Sequence, residues 1–102
     1  HWIDYPSLEK EVRIVHARVP HAPELLAQQV VAFVQELRIT DLYKRPGVAE
    51  TIDWLNALVA LDQRSLDEDT VNDTLGALLK YQDDVRQVQG AVGRRILKKI
   101  QA

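Results

Sequence analysis

Apolar residues recur every three or four positions along most of the chain, and short clusters containing Pro, Gly or polar residues divide this pattern into segments. This spacing places the apolar side chains of each segment on one face of an α-helix, which needs a second apolar face to pack against. The pattern predicts five helices with short connections, and therefore a small all-α bundle. The predicted helices run from about Ser7 to Val19, Pro23 to Thr40, Gly47 or Val48 to Leu61 or Asp62, Asp67 to Lys80 or Tyr81, and Val85 to Ile100.

The ends of these helices carry recognisable residues. Pro23 suits a first helical turn because it has no N–H group to leave unpaired, and Asp67 suits an N-cap. In the last predicted helix, Gly90 and Gly93 each cost roughly 1 kcal/mol relative to Ala. We expect that helix to be weakened in its middle, so that residues 91–102 form a basic helical tail able to leave the bundle.

Size and charge exclude several classes of protein. The 102 residues suffice for one domain, no apolar run approaches the roughly 20 residues that span a membrane, and Cys is absent. Residues 1–85 carry all 15 acidic residues and eight basic ones, whereas 86–102 carry five basic residues and no acidic one. An acidic body with a short basic end argues against nucleic-acid binding. We expect a cytoplasmic protein without a membrane span.

The first residues differ from the rest of the chain. Trp2, Ile3 and Tyr5 favour a β-strand, and Pro6 ends it. A single strand has no partner within an all-helical chain. The segment is therefore expected to be an orphan strand, and the chain is expected to be a piece of a longer protein.

No motif of a self-contained enzyme is visible. The three His residues, at 1, 16 and 21, lack the spacing of a helical metal site, and we expect His16 and His21 to be exposed. There is no Gly-rich phosphate loop and no nucleophile elbow. Asp83 and Asp84 are adjacent and are interpreted as part of a solvated face. We assign no catalytic residue and no metal ligand.

One short stretch has the features of an anion site. In Tyr43–Val48 two cations and a Gly precede a helix N-terminus, whose free N–H groups attract anions. Glu50 in the first turn counts against a bound phosphate, and an ordinary helix connection is the alternative. Trp54 is expected to pack in the core, with an interface as the alternative. The cations of the tail are expected to be solvated rather than bound to a membrane surface or a nucleic acid.

Two stretches resemble a known family. Residues 1–11, HWIDYPSLEKE, resemble the end of the ATPase core in MoxR-family AAA+ proteins, where a last strand leads into the helical lid. Residues 42–54, LYKRPGVAETIDW, resemble the lid of the branch associated with maturation of carbon monoxide dehydrogenase and similar metalloenzymes. Residues 73–76 and 79–84 also match that branch. The resemblance covers residues 1 to about 90.

The resemblance implies that the chain is the C-terminal lid of an ATPase whose Walker A, Walker B and arginine-finger segments precede His1. Residues 1–6 would then be the end of the last core strand with a hinge at Asp4, Tyr5 and Pro6, and residues 7–102 would be the lid. The full-length protein would use ATP and Mg²⁺, whereas this chain alone would bind neither and hydrolyse nothing. Its implied partners are its own core, neighbouring subunits of a hexameric ring, a von Willebrand factor A domain protein and a metalloenzyme client.

The resemblance also suggests which residues approach the nucleotide. Many MoxR relatives carry a sensor-two Arg at the start of this lid helix, and Thr51 stands at that position here. Lys44 or Arg45 could replace the missing cation, or Gly47 and Val48 could only line the nucleotide. A second hypothesis, from another class, is a free-standing helical adaptor that binds a protein through an apolar surface with Trp54 or Tyr43 as anchors.

Overall fold

The computed structural model describes residues 5–101, which form six α-helices and contain no strand. The predicted all-α bundle is thereby confirmed. Residues 1–4, which include most of the expected orphan strand and the hinge residue Asp4, lie outside the described residues. The helices are α1 (Leu8–Arg18), α2 (Glu24–Arg38), α3 (Val48–Ala60), α4 (Glu68–Leu78), α5 (Gln82–Val88) and α6 (Ala91–Gln101).

The segment predicted as one last helix is two helices, α5 and α6. Gly90 adopts a φ of 86°, a left-handed conformation that Gly tolerates and that interrupts the helix. The position of Gly93 then lets α6 approach the end of α5, since an added Cβ there would lie 2.9 Å from the carbonyl oxygen of Val88. Ile96 and Leu97 are buried, so the basic tail packs against the bundle instead of leaving it.

Side-chain caps define where several helices begin. The Ser7 hydroxyl accepts a hydrogen bond from the Lys10 N–H (3.2 Å), and the Asp67 carboxylate accepts one from the Thr70 N–H (2.8 Å). Each cap satisfies one backbone N–H group that the first turn leaves without an intrahelical partner. The predicted capping role of Asp67 is confirmed.

The core lies around α2, which packs against α1, α3 and α6. Phe33 and Trp54 are fully buried, with ring centroids 5.3 Å apart. The Trp54 indole N–H donates to the Thr74 hydroxyl (2.7 Å), and that hydroxyl donates to the Thr70 carbonyl (2.7 Å). Core packing of Trp54 is therefore confirmed, and its one polar atom has a partner inside the core. No helix within residues 5–101 is long and apolar enough to cross a membrane.

Candidate functional site: the loop before α3

The connection between α2 and α3 displays the residues that the sequence singled out. Lys44 and Arg45 are exposed on this loop, and Gly47 and Val48 are half-buried where α3 begins. Thr51, one turn into α3, is fully buried. The fold therefore keeps four of the five candidate residues near the surface and places the fifth in the interior.

The buried side chain of Asp84 holds the N-terminal half of this loop. Its two carboxylate oxygens accept hydrogen bonds from the backbone N–H groups of Tyr43 (2.9 Å) and Lys44 (3.1 Å). Asp84 lies on α5 and is fully buried, so its interpretation as part of a solvated face is wrong. The physical reason is that this carboxylate satisfies two backbone donors of an irregular segment that no helix pairs.

The C-terminal half of the loop is held by Arg38, the last residue of α2. The Arg38 Nε–H donates to the carbonyl oxygen of Pro46 (2.8 Å). The two terminal nitrogens of the guanidinium donate to the two carboxylate oxygens of Glu11 on α1, at 2.6 and 2.7 Å. This bidentate pair is buried, with side-chain exposures of 5% for Arg38 and 0% for Glu11.

Thr51 belongs to the same buried network. Its hydroxyl lies 3.2 Å from a carboxylate oxygen of Glu11 and 2.9 Å from the carbonyl oxygen of Gly47. One terminal nitrogen of Arg38 lies 3.5 Å away. The Thr51 side chain is thus hydrogen-bonded within the protein and fixes the first turn of α3.

The N-terminus of α3 already has an acidic partner. A carboxylate oxygen of Glu50 accepts a hydrogen bond from the Gly47 N–H at 2.9 Å. This contact is half of a capping box, and it places a negative charge where an anion would bind the helix end. The exposed positive charge at this site therefore comes from Lys44 and Arg45 rather than from the helix terminus.

The described hinge residues, Tyr5 and Pro6, contact the same network from the opposite side. The Tyr5 ring covers the Arg38 guanidinium, whose central carbon lies 4.3 Å from the ring centroid. The Pro6 carbonyl accepts a hydrogen bond from the Gln35 side chain (3.2 Å), which also lies 3.3 Å from Glu11. The structure thus brings the predicted hinge and the predicted nucleotide-proximal loop together around one arginine.

An exposed aromatic pair lies beside the loop. Tyr43 is 78% exposed and Tyr81 is 53% exposed, and their rings meet edge to face with centroids 6.1 Å apart. Exposed Lys44 and Lys80 follow and precede these tyrosines in sequence. Tyr is enriched at protein interfaces whereas Lys is depleted there, so the two exposed rings, and not the flanking lysines, are the feature that is typical of an interface.

The remaining sequence candidates contribute less. His21 is exposed, but His16 is half-buried with its Nε2 atom 3.2 Å from the carbonyl oxygen of Ala22, so the expected exposure of His16 is wrong. Residues 5–101 contain no group of three or more potential metal-ligating side chains.

The basic tail uses part of its charge within the molecule. Arg94 makes two hydrogen bonds to the Glu68 carboxylate (3.1 and 3.0 Å), and Lys99 lies 3.1 Å from a carboxylate oxygen of Glu36. The Arg94 side chain lowers the pKa of Glu68 below 4.5 through these hydrogen bonds, and Glu68 raises the pKa of Arg94. These contacts tie α6 to α4 and α2.

Sequence reasoning missed Glu11, Arg38 and the burial of Asp84. Glu11 lies four residues before buried Val15, and Arg38 lies four residues after buried Val34. Each charged residue therefore falls on the apolar face of its helix, where a lone charge implies a buried partner.

Comparisons with protein-family models, curated proteins and solved structures find no match for this chain.

Proposed function

We propose that this chain is the C-terminal helical lid of a MoxR-type AAA+ ATPase, from the branch that matures carbon monoxide dehydrogenase and similar metalloenzymes. Its sequence resembles that lid over residues 1 to about 90, and its all-helical bundle is compatible with it. The observation that carries the proposal concerns the buried charges of residues 5–101, which are Glu11, Arg38 and Asp84. All three hold the stretch between Tyr43 and Thr51, the part with the most specific resemblance.

Burying charge is costly, and a fold that buries three charged groups around one surface loop specifies the shape of that loop. In the proposed lid, this shape presents the Lys44 and Arg45 side chains to the phosphates of a nucleotide bound on the preceding core. Gly47 and Val48 line the nucleotide, and Thr51 acts from the interior by fixing the first turn of α3. Because Glu50 already occupies the helix end, phosphate contact falls to the two cations.

ATP and Mg²⁺ supply the phosphoryl chemistry in the full-length protein, where the segments before His1 would hold them. The lid excludes bulk water when it closes, and its movement about Tyr5 and Pro6 couples hydrolysis to the neighbouring subunits of a hexameric ring. The coupled work is chaperone-like insertion of a cofactor into a metalloenzyme client, together with a von Willebrand factor A domain partner.

The first test is the natural coding sequence before His1, which should contain G-x-x-x-x-G-K-[ST] after a strand. The second is ATP turnover by that full-length protein with Lys44→Ala and Arg45→Ala combined. We expect kcat/KM to fall by about tenfold or more, because two cations facing the phosphates are lost. Arg64→Ala, which removes an exposed cation between α3 and α4, should leave turnover unchanged.

Two results would contradict the proposal. One is a reading frame that begins within a few residues of His1, and the other is turnover by this chain alone above that of a mock-purified control. Equal turnover by the double variant and the parent protein would remove Lys44 and Arg45 from the proposed site.

A second candidate function, a helical protein-interaction adaptor, is favoured by the exposed Tyr43–Tyr81 pair. Trp54 is fully buried, so Tyr43 is the available anchor of the two that the sequence suggested. In this case Tyr43→Ala would weaken binding of the partner by a hot-spot amount, about 2 kcal/mol, and ATP would have no effect. A natural reading frame that starts near His1 would favour this function over the lid.

A further inference from the structure

We propose that Arg38 is a positioning residue that couples the segment Tyr5–Pro6 to the loop carrying Lys44 and Arg45. The inference deepens the proposed function, because these two segments are the proposed hinge and the proposed nucleotide-proximal loop. The coupling itself is a property of this chain and is measurable without any nucleotide.

The Arg38 guanidinium makes contacts along its edges and on one face. Its edges bind both oxygens of Glu11 and the carbonyl oxygen of Pro46 at 2.6 to 2.8 Å. The Tyr5 ring covers the face at 4.3 Å. A planar group with several fixed donors transmits a displacement of one partner to the others, which a point charge such as a lysine ammonium does not do.

The loop is held from two sides, and Arg38 is one of them. Asp84 fixes the backbone at Tyr43 and Lys44, and Arg38 fixes it at Pro46. Pro46 is buried while the neighbouring Lys44 and Arg45 are exposed. The direction in which these two cations project therefore depends on the position of the Pro46 carbonyl.

The segment Tyr5–Pro6 limits the access of water to the Arg38 guanidinium and its hydrogen bonds. Tyr5 shields the guanidinium, and Gln35 links the Pro6 carbonyl to Glu11. If the segment moves away, water reaches the guanidinium face, and hydrogen bonds that are strong in a dry site weaken. The hydrogen bond from the Arg38 Nε–H to the Pro46 carbonyl oxygen weakens with them. A hinge movement at Tyr5–Pro6 is thereby transmitted to the loop through Arg38.

The test is nuclear magnetic resonance of the full chain with Tyr5→Ala. We expect exchange of the Arg38 Nε–H with solvent to accelerate by about twofold to thirtyfold, the range equivalent to losing a cation–π contact. The amide signal of Gly47, which follows Pro46, should shift at the same time. Tyr5→Phe should keep both values at those of the parent chain, because within residues 5–101 Tyr5 contacts Arg38 through its ring and not through a hydrogen bond of its hydroxyl.

The matched control is Tyr81→Ala, which removes a tyrosine whose ring meets that of Tyr43 on the loop and which makes no hydrogen bond or cation–π contact with Arg38 within residues 5–101. It should shift the Tyr43 signals and leave the Arg38 Nε–H exchange unchanged. Arg38→Lys adds a second arm. This substitution keeps the positive charge but removes the planar guanidinium with its several donors. Once circular dichroism shows that the Arg38→Lys chain is folded, adding Tyr5→Ala should no longer shift the Gly47 amide signal.

Unchanged Arg38 exchange and an unchanged Gly47 amide in Tyr5→Ala would overturn the coupling. So would a Gly47 shift in Tyr5→Ala that persists in the Arg38→Lys background. The proposed function is tested separately, and it fails if the full-length ATPase has the same turnover with and without the Lys44→Ala and Arg45→Ala substitutions. If Tyr5→Ala changes Arg38 and Gly47 but the Lys44 and Arg45 variant leaves turnover unchanged, the coupling holds and the proposed function fails. If turnover falls but Tyr5→Ala changes neither signal, the proposed function holds and the coupling through Arg38 is refuted.

Discussion

Removal of the Glu11 charge is the sharpest test of the buried network. Glu11→Gln leaves the Arg38 guanidinium, at 5% side-chain exposure, without a counter-ion within residues 5–101, although the Gln side chain keeps one carbonyl oxygen as a hydrogen-bond acceptor. Breaking a buried ion pair by removing one partner typically costs about 3–5 kcal/mol. We expect the free energy of unfolding to fall by about 3 kcal/mol in Glu11→Gln and by about 5 kcal/mol in Glu11→Ala. For a domain with about 5–15 kcal/mol of stability, either loss is a large fraction of the total.

Urea unfolding followed by circular dichroism at 222 nm measures this loss. A control comes from the double variant Glu11→Leu with Arg38→Met, in which neither charge is left alone. That variant still leaves the Pro46 carbonyl without its donor, a cost of about 1–3 kcal/mol. With Glu11→Ala costing about 5 kcal/mol, we therefore expect the double variant to be about 2–4 kcal/mol more stable than Glu11→Ala.

A surface comparison separates burial from charge. Arg86→Gln breaks an exposed pair with Asp83, where the nearest N···O distance is 3.6 Å, and should leave the midpoint unchanged within error. The reasoning is refuted if Glu11→Gln costs less than about 1 kcal/mol, or if the double variant is less stable than Glu11→Ala.

Three further predictions use other parts of the bundle. Gly93→Ala should lower the urea midpoint despite its better helix propensity, because the new Cβ would lie 2.9 Å from the Val88 carbonyl oxygen. Gly76→Ala, within α4, places the new Cβ more than 4 Å from every described atom outside the neighbouring residues and backbone of its own helix, and should stabilise the protein by about 0.5–1 kcal/mol in the same assay. Arg94→Gln should raise the lowered pKa of Glu68 back toward 4.5, as read from the pH dependence of its carboxyl signal. Since a lowered pKa contributes stability that is lost as pH falls through the folded-state value, this variant should also lose less of its stability in acid.

The helices could be predicted from the sequence because their causes are local. The apolar period and the cap at Asp67 act within a few residues and are found where they were expected, whereas Pro23, expected in the first turn, is the N-cap that precedes α2. The division of the last helix was harder, although its cause, Gly90, was visible. A glycine costs a helix about 1 kcal/mol whether or not the chain turns there, and packing of α6 against the bundle decides which outcome is more stable.

The candidate site was only half predictable. The exposed cations Lys44 and Arg45 lie in a stretch whose character is local, so the sequence could point to them. The residues that hold them, Arg38 and Asp84, act on backbone atoms, and the Asp84 contacts span 40 and 41 residues of sequence. A charge on an apolar helix face indicates that a partner exists. It does not indicate which partner, because that depends on how the helices cross.

The arrangement has a consequence for binding that does not depend on the identity of the ligand. A free loop loses conformational entropy when it binds, whereas a loop whose backbone is fixed beforehand has already lost it during folding. Here Asp84 and Arg38 fix the backbone on both sides of Arg45. Burying these charged groups is costly in itself, and their hydrogen bonds to the loop order it during folding rather than during binding. In the proposed lid, the exposed cations Lys44 and Arg45 would then contribute binding free energy without the cost of ordering the loop.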